Sequence, residues 1–277
     1  MARSLRVSVR NAKFQQWETL LRNRTKRHRA GSFLVQGVRP ITMAVEHGWT
    51  VQELLYDADR PRLSAWAEGL LDAPHTERAA VSADLMAELG DKDGEAPELL
   101  AQVAIPKRRL SQLSSRPGWT GLVIDRPSGP GNVGSLIRSA DAFGADAVIV
   151  TGRNAADPYD PKAVRASTGS LFALPVVNAA SAHEVAEWAS KQDHKPSIVG
   201  TDERGERALS EHDLTGAVLL VVGNEAEGMS KAWHELADAV ARIPMAAKAA
   251  SSLNAANAGT VALYETARQR AEAGKAA

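Results

Sequence analysis

The chain has 277 residues, 44% hydrophobic and 24% charged, with 21 glycines and 13 prolines; this suffices for one or two globular domains with a sizeable core and excludes a miniprotein or a disordered tail. The absence of cysteine excludes disulfides, thiolate zinc sites, iron–sulfur clusters and cysteine nucleophiles, and no apolar run approaches the ~20 residues that span a bilayer, so a cytoplasmic protein is expected, neither exported nor membrane-embedded. Formal net charge is zero, but the first thirty residues hold nine Lys/Arg against one acid, Glu18, and residues 53–98 hold twelve Asp/Glu against four Lys/Arg.

Residues 11–23 carry Phe14, Trp17, Leu20 and Leu21 at i, i+3, i+6 and i+7, the spacing of one helix face. A basic run follows, and Phe14, Trp17 and Phe33 flank it; cations for phosphates beside rings for splayed bases suit RNA. The candidate RNA contacts are Arg22, Arg24, Lys26, Arg27, Arg29 and, after a short strand at 33–36, Arg39. A helix over 40–47, a strand over 50–56, a helical stretch after Pro61, a helix over 81–89 and a closing strand over 98–105 complete a small α/β unit. The serine- and glutamine-containing run 107–118, ending in Pro117-Gly118, looks like a linker, so the expected division is a substrate-binding domain over 1–110, a linker over 111–118 and a second domain over 119–277.

Beyond the linker, short apolar runs at 122–125, 147–151, 197–201, 218–222 and 240–243 alternate with helical stretches. That alternation predicts a mostly parallel sheet covered by helices on both faces. Ligand sites in such sheets lie beyond the carboxyl ends of the strands, which directs attention to the loops 126–132, 152–160, 201–205, 223–230 and 244–254.

Gly129-Pro130-Gly131-Asn132-Val133-Gly134 matches G-x-G-x-x-G between a strand and a helix, the context of a dinucleotide site, although Pro130 removes a backbone donor and no acid ends a second strand at the expected place. The same glycines also suit a tight strand-to-helix turn with Asn132 acting from the loop or the cap. Arg138 stands one turn beyond Gly134, where it can reach the loop mouth or form a surface ion pair with Asp141. The strand 218–222 runs into a glycine-bracketed acidic loop, Gly223-Asn224-Glu225-Ala226-Glu227-Gly228; Glu225 is either a ligand-site group or a cap for a helix near Ser230. Ile243-Pro244-Met245 ends the last strand, and Ser252-Leu253-Asn254 opens a long C-terminal helix with Ser252 as the expected N-cap. The histidines are scattered and no metal-ligand spacing is present, so no metal is expected. The residues alone leave two classes open: an NAD(P)-dependent oxidoreductase, resting on the glycine loop, and a non-catalytic RNA-binding protein, resting on the basic arm.

Together these segments resemble the SpoU family, also called TrmH, of RNA ribose 2′-O-methyltransferases. Its N-x-G-x-x-x-R motif with a following F-G appears as Asn132, Gly134, Arg138 and Phe143-Gly144; its G-[SN]-E-x-x-G loop as residues 223–228; and its I-P-M and S-L-N motifs as residues 243–245 and 252–254. Residues 11–110 look like the family's ribosomal-protein-like N-terminal domain, with Phe33-Leu34-Val35-Gln36-Gly37 close to its F-L-V-E-G signature. The resemblance implies an α/β fold whose C-terminal segment forms a deep trefoil knot, with S-adenosylmethionine as cofactor and a homodimer built through the knotted domain. It implies a catalytic group of Arg138, Asn132, Glu225 and Asn254, and a cofactor site of Thr201, Gly223, Asn224, Ile243, Met245, Ser252 and Leu253. Among members the chain looks most like the resistance methyltransferases of antibiotic-producing actinomycetes. That implies 2′-O-methylation of a uridine ribose in 23S ribosomal RNA and self-resistance to a ribosome-targeting antibiotic such as avilamycin, a housekeeping rRNA or tRNA methyltransferase being the alternative.

Overall fold

The computed structural model describes residues 5–73, 76–90, 95–246 and 252–276. The chain divides into two compact units, Met1–Lys107 with Tyr159–Phe172, and Arg108–Pro158 with Ala173–Ala277.

The first unit runs β1 (Leu5–Val7), α1 (Ala12–Arg22), α2 (Arg24–Ala30), β2 (Ser32–Gln36), α3 (Val38–Glu46), β3 (Val51–Asp57), α4 (Ala65–Leu71), β4 (Glu77–Val81), α5 (Ala83–Leu89) and β5 (Leu99–Ala104). Its sheet has the order β1-β4-β3-β5-β2, with β5 antiparallel to both neighbours. Asn11 caps α1 by accepting a hydrogen bond from Phe14 N at 3.0 Å. The predicted helix over 81–89 begins later, because Val81 pairs with Val7 and Asp57 as the last residue of a strand.

The basic N-terminal stretch is folded, and two expectations about it need correction. Phe14, Trp17 and Phe33 are fully buried, so their rings build the core instead of stacking on bases; Trp17 Nε1 donates to the buried Glu53, which also pairs with Lys13 at 2.8 Å. Arg27 is likewise buried, at 2% exposure. Its guanidinium donates to the carbonyls of Leu20 and Leu21 at the end of α1 and to Asp160 Oδ2 at 3.3 Å. It therefore satisfies orphan helix carbonyls and is removed from the RNA-contact set. Arg27→Met, which keeps the apolar stem but leaves these acceptors unpaired, is expected to destabilise the protein by about 2–4 kcal/mol in urea denaturation.

The second unit begins with β6 (Thr120–Asp125), α6 (Pro130–Ala142) and β7 (Ala147–Thr151). The chain then supplies α7 (Pro161–Ser167) and α8 (Ser170–Ala173), largely the segment that clusters with the first unit, where Tyr159 and Phe172 meet Phe33 and Trp49 at ring distances of 5.0–6.5 Å. It continues through β8 (Val176–Ala179), α9 (Ala182–Ser190), β9 (Ser197–Thr201), β10 (Arg207–Ala208), β11 (Val218–Val222), α10 (Lys231–Leu236), β12 (Ala239–Arg242) and α11 (Ala255–Ala276). All pairings in its seven-stranded sheet, ordered β10-β12-β9-β11-β6-β7-β8, are parallel, in agreement with the mostly parallel α/β sheet expected. The central strands are continuous apolar runs because both faces are covered. The stretch after Lys107 is part of this unit: Leu110 is buried in its core, and Trp188 Nε1 donates to Leu113 O.

Helix α11 lies close against α6 and β11 because residue 259 is glycine. A Cβ there would stand 2.4 Å from Leu136 Cδ2 and 3.1 Å from Val222 Cγ2. Farther along, Arg270 donates to Thr120 Oγ1 and to the carbonyls of Leu214, Gly216 and Trp119, pinning the helix to the start of β6. Among the described residues no helix is long and apolar enough to cross a membrane.

Candidate active site

The carboxyl ends of β6, β9, β11 and β12 lie side by side, since Val222 is in register with both Ile124 and Thr201, and Thr201 with Ala241. From Val222 the chain turns through Gly223 into a loop closed on itself by an antiparallel bridge: Asn224 N donates to Gly228 O and Gly228 N to Asn224 O, at 2.9 and 3.0 Å. Asn224 Oδ1 accepts from the backbone N–H groups of Ala226 and Glu227. The outcome is a closed loop at the centre of the strand ends.

This loop forms one wall of a cavity of about 530 Å³, the size of a small-ligand site. Thr201, Asp202, Glu203 and Arg204 continue the wall, and Ile243, Met245, Ser252 and Leu253 enclose the other side with Ala255 and Ala258 of α11. His234 stands at the rim, 3.4 Å from Asp202. All seven residues expected at a cofactor site line this one cavity, and so does Glu225.

Glu225 ties the loop to the start of α6. Its Oε2 accepts from Ser128 N and Oγ at 3.1 and 2.8 Å, and its Oε1 from Asn132 Nδ2 at 2.8 Å and Gly129 N at 3.4 Å. Partial burial acts to raise its pKa, but the hydrogen bonds from Asn132 and Ser128 outweigh burial and bring it down to about 2. The carboxylate therefore stays ionised at any working pH and is a poor proton acceptor near neutrality. Its position corrects two readings: Glu225 does not cap a helix near Ser230, and Asn132 sits within the first turn of α6 instead of in the loop before it. The carboxylate also fills the helix N-terminus where a dinucleotide pyrophosphate would have to lie, which removes the oxidoreductase alternative.

Asn254, between the lining residues Leu253 and Ala255, is the cap of α11: its side chain accepts from Ala256 N and its carbonyl from Ala258 N, both at 2.9 Å. The cap expected at Ser252 is thus two residues later. Arg138 lies six residues, or about 9 Å of helix, beyond Asn132; it is exposed, it is not part of the cavity wall, and it has no ion-pair or hydrogen-bond partner among the described residues. The surface ion pair with Asp141 does not form. In the first unit, Arg22, Arg24, Lys26, Arg29 and Arg39 are exposed, Arg22 within 3.3 Å of Glu18 and Arg39 Nε donating to Thr168 O. The motifs pass over Asp125, Arg126 and Ser128, whose side chains hold the loop 223–230; their one signal in the sequence is a place at the end of a strand and in the loop that follows it.

A parallel α/β unit with a closed loop over its strand ends, preceded by a small α/β unit, agrees with two family descriptions: "SpoU L30e-like domain" over residues 11–101 and "SpoU rRNA Methylase family" over residues 120–264. The chain belongs to the SpoU rRNA methylase family. It is 53% identical over 268 residues, 96% of its own length and 92% of the relative's, to the 23S rRNA (uridine(2479)-2′-O)-methyltransferase of Streptomyces viridochromogenes. The crystal structure of the SpoU methyltransferase AviRb from S. viridochromogenes in complex with the cofactor AdoMet superposes with a TM-score of 0.90 at 52% identity, covering 95% of this chain and 99% of that one. An AdoMet-bound rRNA methyltransferase from Sinorhizobium meliloti matches with a TM-score of 0.84 at 27% identity, over 95% and 97% of the two chains.

Proposed function

We propose that this chain methylates the 2′-hydroxyl of a uridine ribose in 23S ribosomal RNA, with S-adenosylmethionine as the methyl donor held in the 530 Å³ cavity. The single observation that carries the reading is the Glu225 tie, which fastens the cavity wall to the helix that presents Arg138. The donor set fits the cofactor: carboxylates of Asp202 and Glu203 for cationic and hydroxyl groups, Arg204 and His234 for an anionic end, and Ile243, Met245 and Leu253 for an aromatic base. When bound, S-adenosylmethionine supplies an electrophilic methyl on a sulfonium.

The rest is the protein's task. A neutral ribose hydroxyl is a weak nucleophile at pH 7, so it needs positioning and help in losing its proton. Arg138 is free to reach an RNA oxygen; its guanidinium carries hydrogen-bond donors and no acceptor, so it stabilises a developing alkoxide or helps pass the proton to an RNA phosphate and does not serve as a free base. Glu225 and Asn132 set the start of α6, and Asn254 sets the start of α11 and with it the wall at Leu253 and Ala255. Backbone groups of Thr201, Gly223, Asn224, Ile243, Met245, Ser252 and Leu253 enclose the cofactor. Transfer of tritiated methyl from S-adenosylmethionine to 23S rRNA, but not to 16S rRNA, tests the reading.

The exposed Arg22, Arg24, Lys26, Arg29 and Arg39 grip the RNA backbone. Replacing the first four by alanine is expected to weaken RNA binding and flatten its salt dependence, by ~0.7–0.9 in the log–log slope for each phosphate no longer neutralised; an unchanged slope in a filter-binding titration returns these cations to the solvated surface. Deleting residues 1–30 is the wrong variant for this test, since it removes Phe14 and Trp17 from the core. A homodimer through the second unit accounts for Val261 and Tyr264 on α11, 38% and 54% exposed, and sedimentation reads it directly. The place of action is the cytoplasm, where ribosomal RNA is found, and self-protection against an antibiotic such as avilamycin is the finer role, read by growth with the drug in cells expressing the chain.

A further inference from the structure

Asp125 and Arg126 sit at the end of β6, outside the cavity wall and outside the family's motifs. Arg126 has φ of 51°, in the left-handed region that strains a residue with a side chain. Beside it, Gly152 at φ of 105° makes room, because a Cβ there would stand 2.9 Å from Arg126 Cγ. A conformation of this kind persists only where its surroundings hold it, and the polar groups of the pair show what does. The Arg126 guanidinium donates to Glu227 Oε2, to Gly228 O at 3.0 Å and to Asp125 Oδ2 at 3.1 Å, while its carbonyl accepts from Asn224 Nδ2 at 2.7 Å. Asp125, 3% exposed, accepts from Ser230 N at 2.9 Å and Thr151 Oγ1 at 3.0 Å. The two residues thus grip both ends of the loop 224–230, through contacts separate from the Glu225 tie. Were only the turn required, glycine would meet φ of 51° without strain; the arginine supplies the guanidinium.

We infer that Arg126 is a positioning residue for the methyl donor, a clamp that holds the loop in its binding shape before the donor arrives. The inference rests on reading the cavity as the donor's pocket. Arg126 acts through Glu227 and Gly228, both in the cavity wall, so losing it makes the donor order the loop at the expense of its own affinity. The loss falls on cofactor binding more than on chemistry.

Calorimetry with S-adenosylmethionine and the full chain, without RNA, tests this. Arg126→Ala is expected to weaken binding at least ~10-fold and to raise the apparent KM for the donor by a similar factor, while kcat falls less than ~3-fold. Arg126→Gly keeps the turn without strain and so melts above Arg126→Ala, yet binds the donor as weakly as Arg126→Ala; for a purely structural residue affinity would recover together with stability. Glu227→Gln weakens binding in the same direction, and adding it to Arg126→Ala brings no further loss. Wild-type affinity in Arg126→Gly, or a fall in kcat at unchanged affinity, overturns the clamp alone. A wild-type chain that does not bind S-adenosylmethionine overturns the pocket reading and the clamp with it.

Discussion

Arg138→Ala is expected to lower methyl transfer to ribosomal RNA by at least ~100-fold while S-adenosylmethionine binding stays within about twofold of wild type. The magnitude is the lower end of what acid–base or electrostatic assistance contributes. The separation of the two effects follows from the structure: Arg138 is exposed, lies off the cavity wall and has no partner among the described residues, so its removal costs neither the fold nor the cofactor site. Arg138→Lys keeps the charge but loses the planar fork, and an intermediate rate is expected. Because Glu225 is held at a pKa of about 2, its carboxylate imposes no titration step on the rate between pH 5 and 9. Calorimetry paired with a tritiated-methyl assay reads both quantities, and near-wild-type turnover in Arg138→Ala discards the role.

Gly223→Ala carries the other large effect. A Cβ at this position would stand 2.2 Å from Gly228 C and Met229 N and 2.7 Å from Gly228 O. These are backbone atoms, which cannot rotate aside as a flexible side chain can. The bridge between Asn224 and Gly228 must open or the exit of β11 must shift, and either change deforms the cavity. S-adenosylmethionine affinity is expected to fall at least ~100-fold, with RNA binding by the exposed cations of the first unit retained. Gly131→Ala is the matched control: nothing lies within 4 Å of its Cβ, and alanine in the first turn of α6 is expected to raise stability by up to ~1 kcal/mol. Donor affinity in Gly223→Ala equal to that in Gly131→Ala would show that the loop tolerates displacement.

Much of the second unit was legible in the amino-acid sequence. Strands over 147–151 and 218–222 were readable to the residue because a parallel strand buried on both faces is a nearly uninterrupted apolar run bounded by turns, and 197–201 was readable from its shorter buried centre, Ile198-Val199-Gly200. Edges were less clear: β12 covers Ala239–Arg242, one residue earlier than the run suggests, and Val81 joins β4 because of its partners across the sheet, which local periodicity cannot show. The first unit shows a different limit. Arginine among basic neighbours reads as surface, and only the carbonyls left open at the end of α1 explain why Arg27 is buried. Phe14 and Trp17 obeyed their helical spacing, yet the same spacing left open whether the rings meet a sheet or a base.

The site divides along the same line. The seven residues named for the cofactor, with Glu225, line one cavity because they follow strand ends that a parallel sheet brings together, whereas Asn132, Arg138 and Asn254 stand outside its wall. What holds that cavity in shape was not legible, since Glu225 meets Ser128 and Asn132 across more than ninety residues of chain and Arg126 meets Gly228 across 102. The φ of Arg126 leaves no trace in composition, and the shift of the α11 cap from Ser252 to Asn254 depends on which side chain reaches Ala256 N.

The most direct measurement maps ribose methylation along 23S ribosomal RNA from cells that lack the chain, express it, or express Arg138→Ala. One uridine should gain a 2′-O-methyl group with the wild-type chain and lose it with the variant. If no ribose in that RNA changes, or if the new methyl sits on a base, the assignment of this cavity and this arginine to 2′-hydroxyl methylation is wrong.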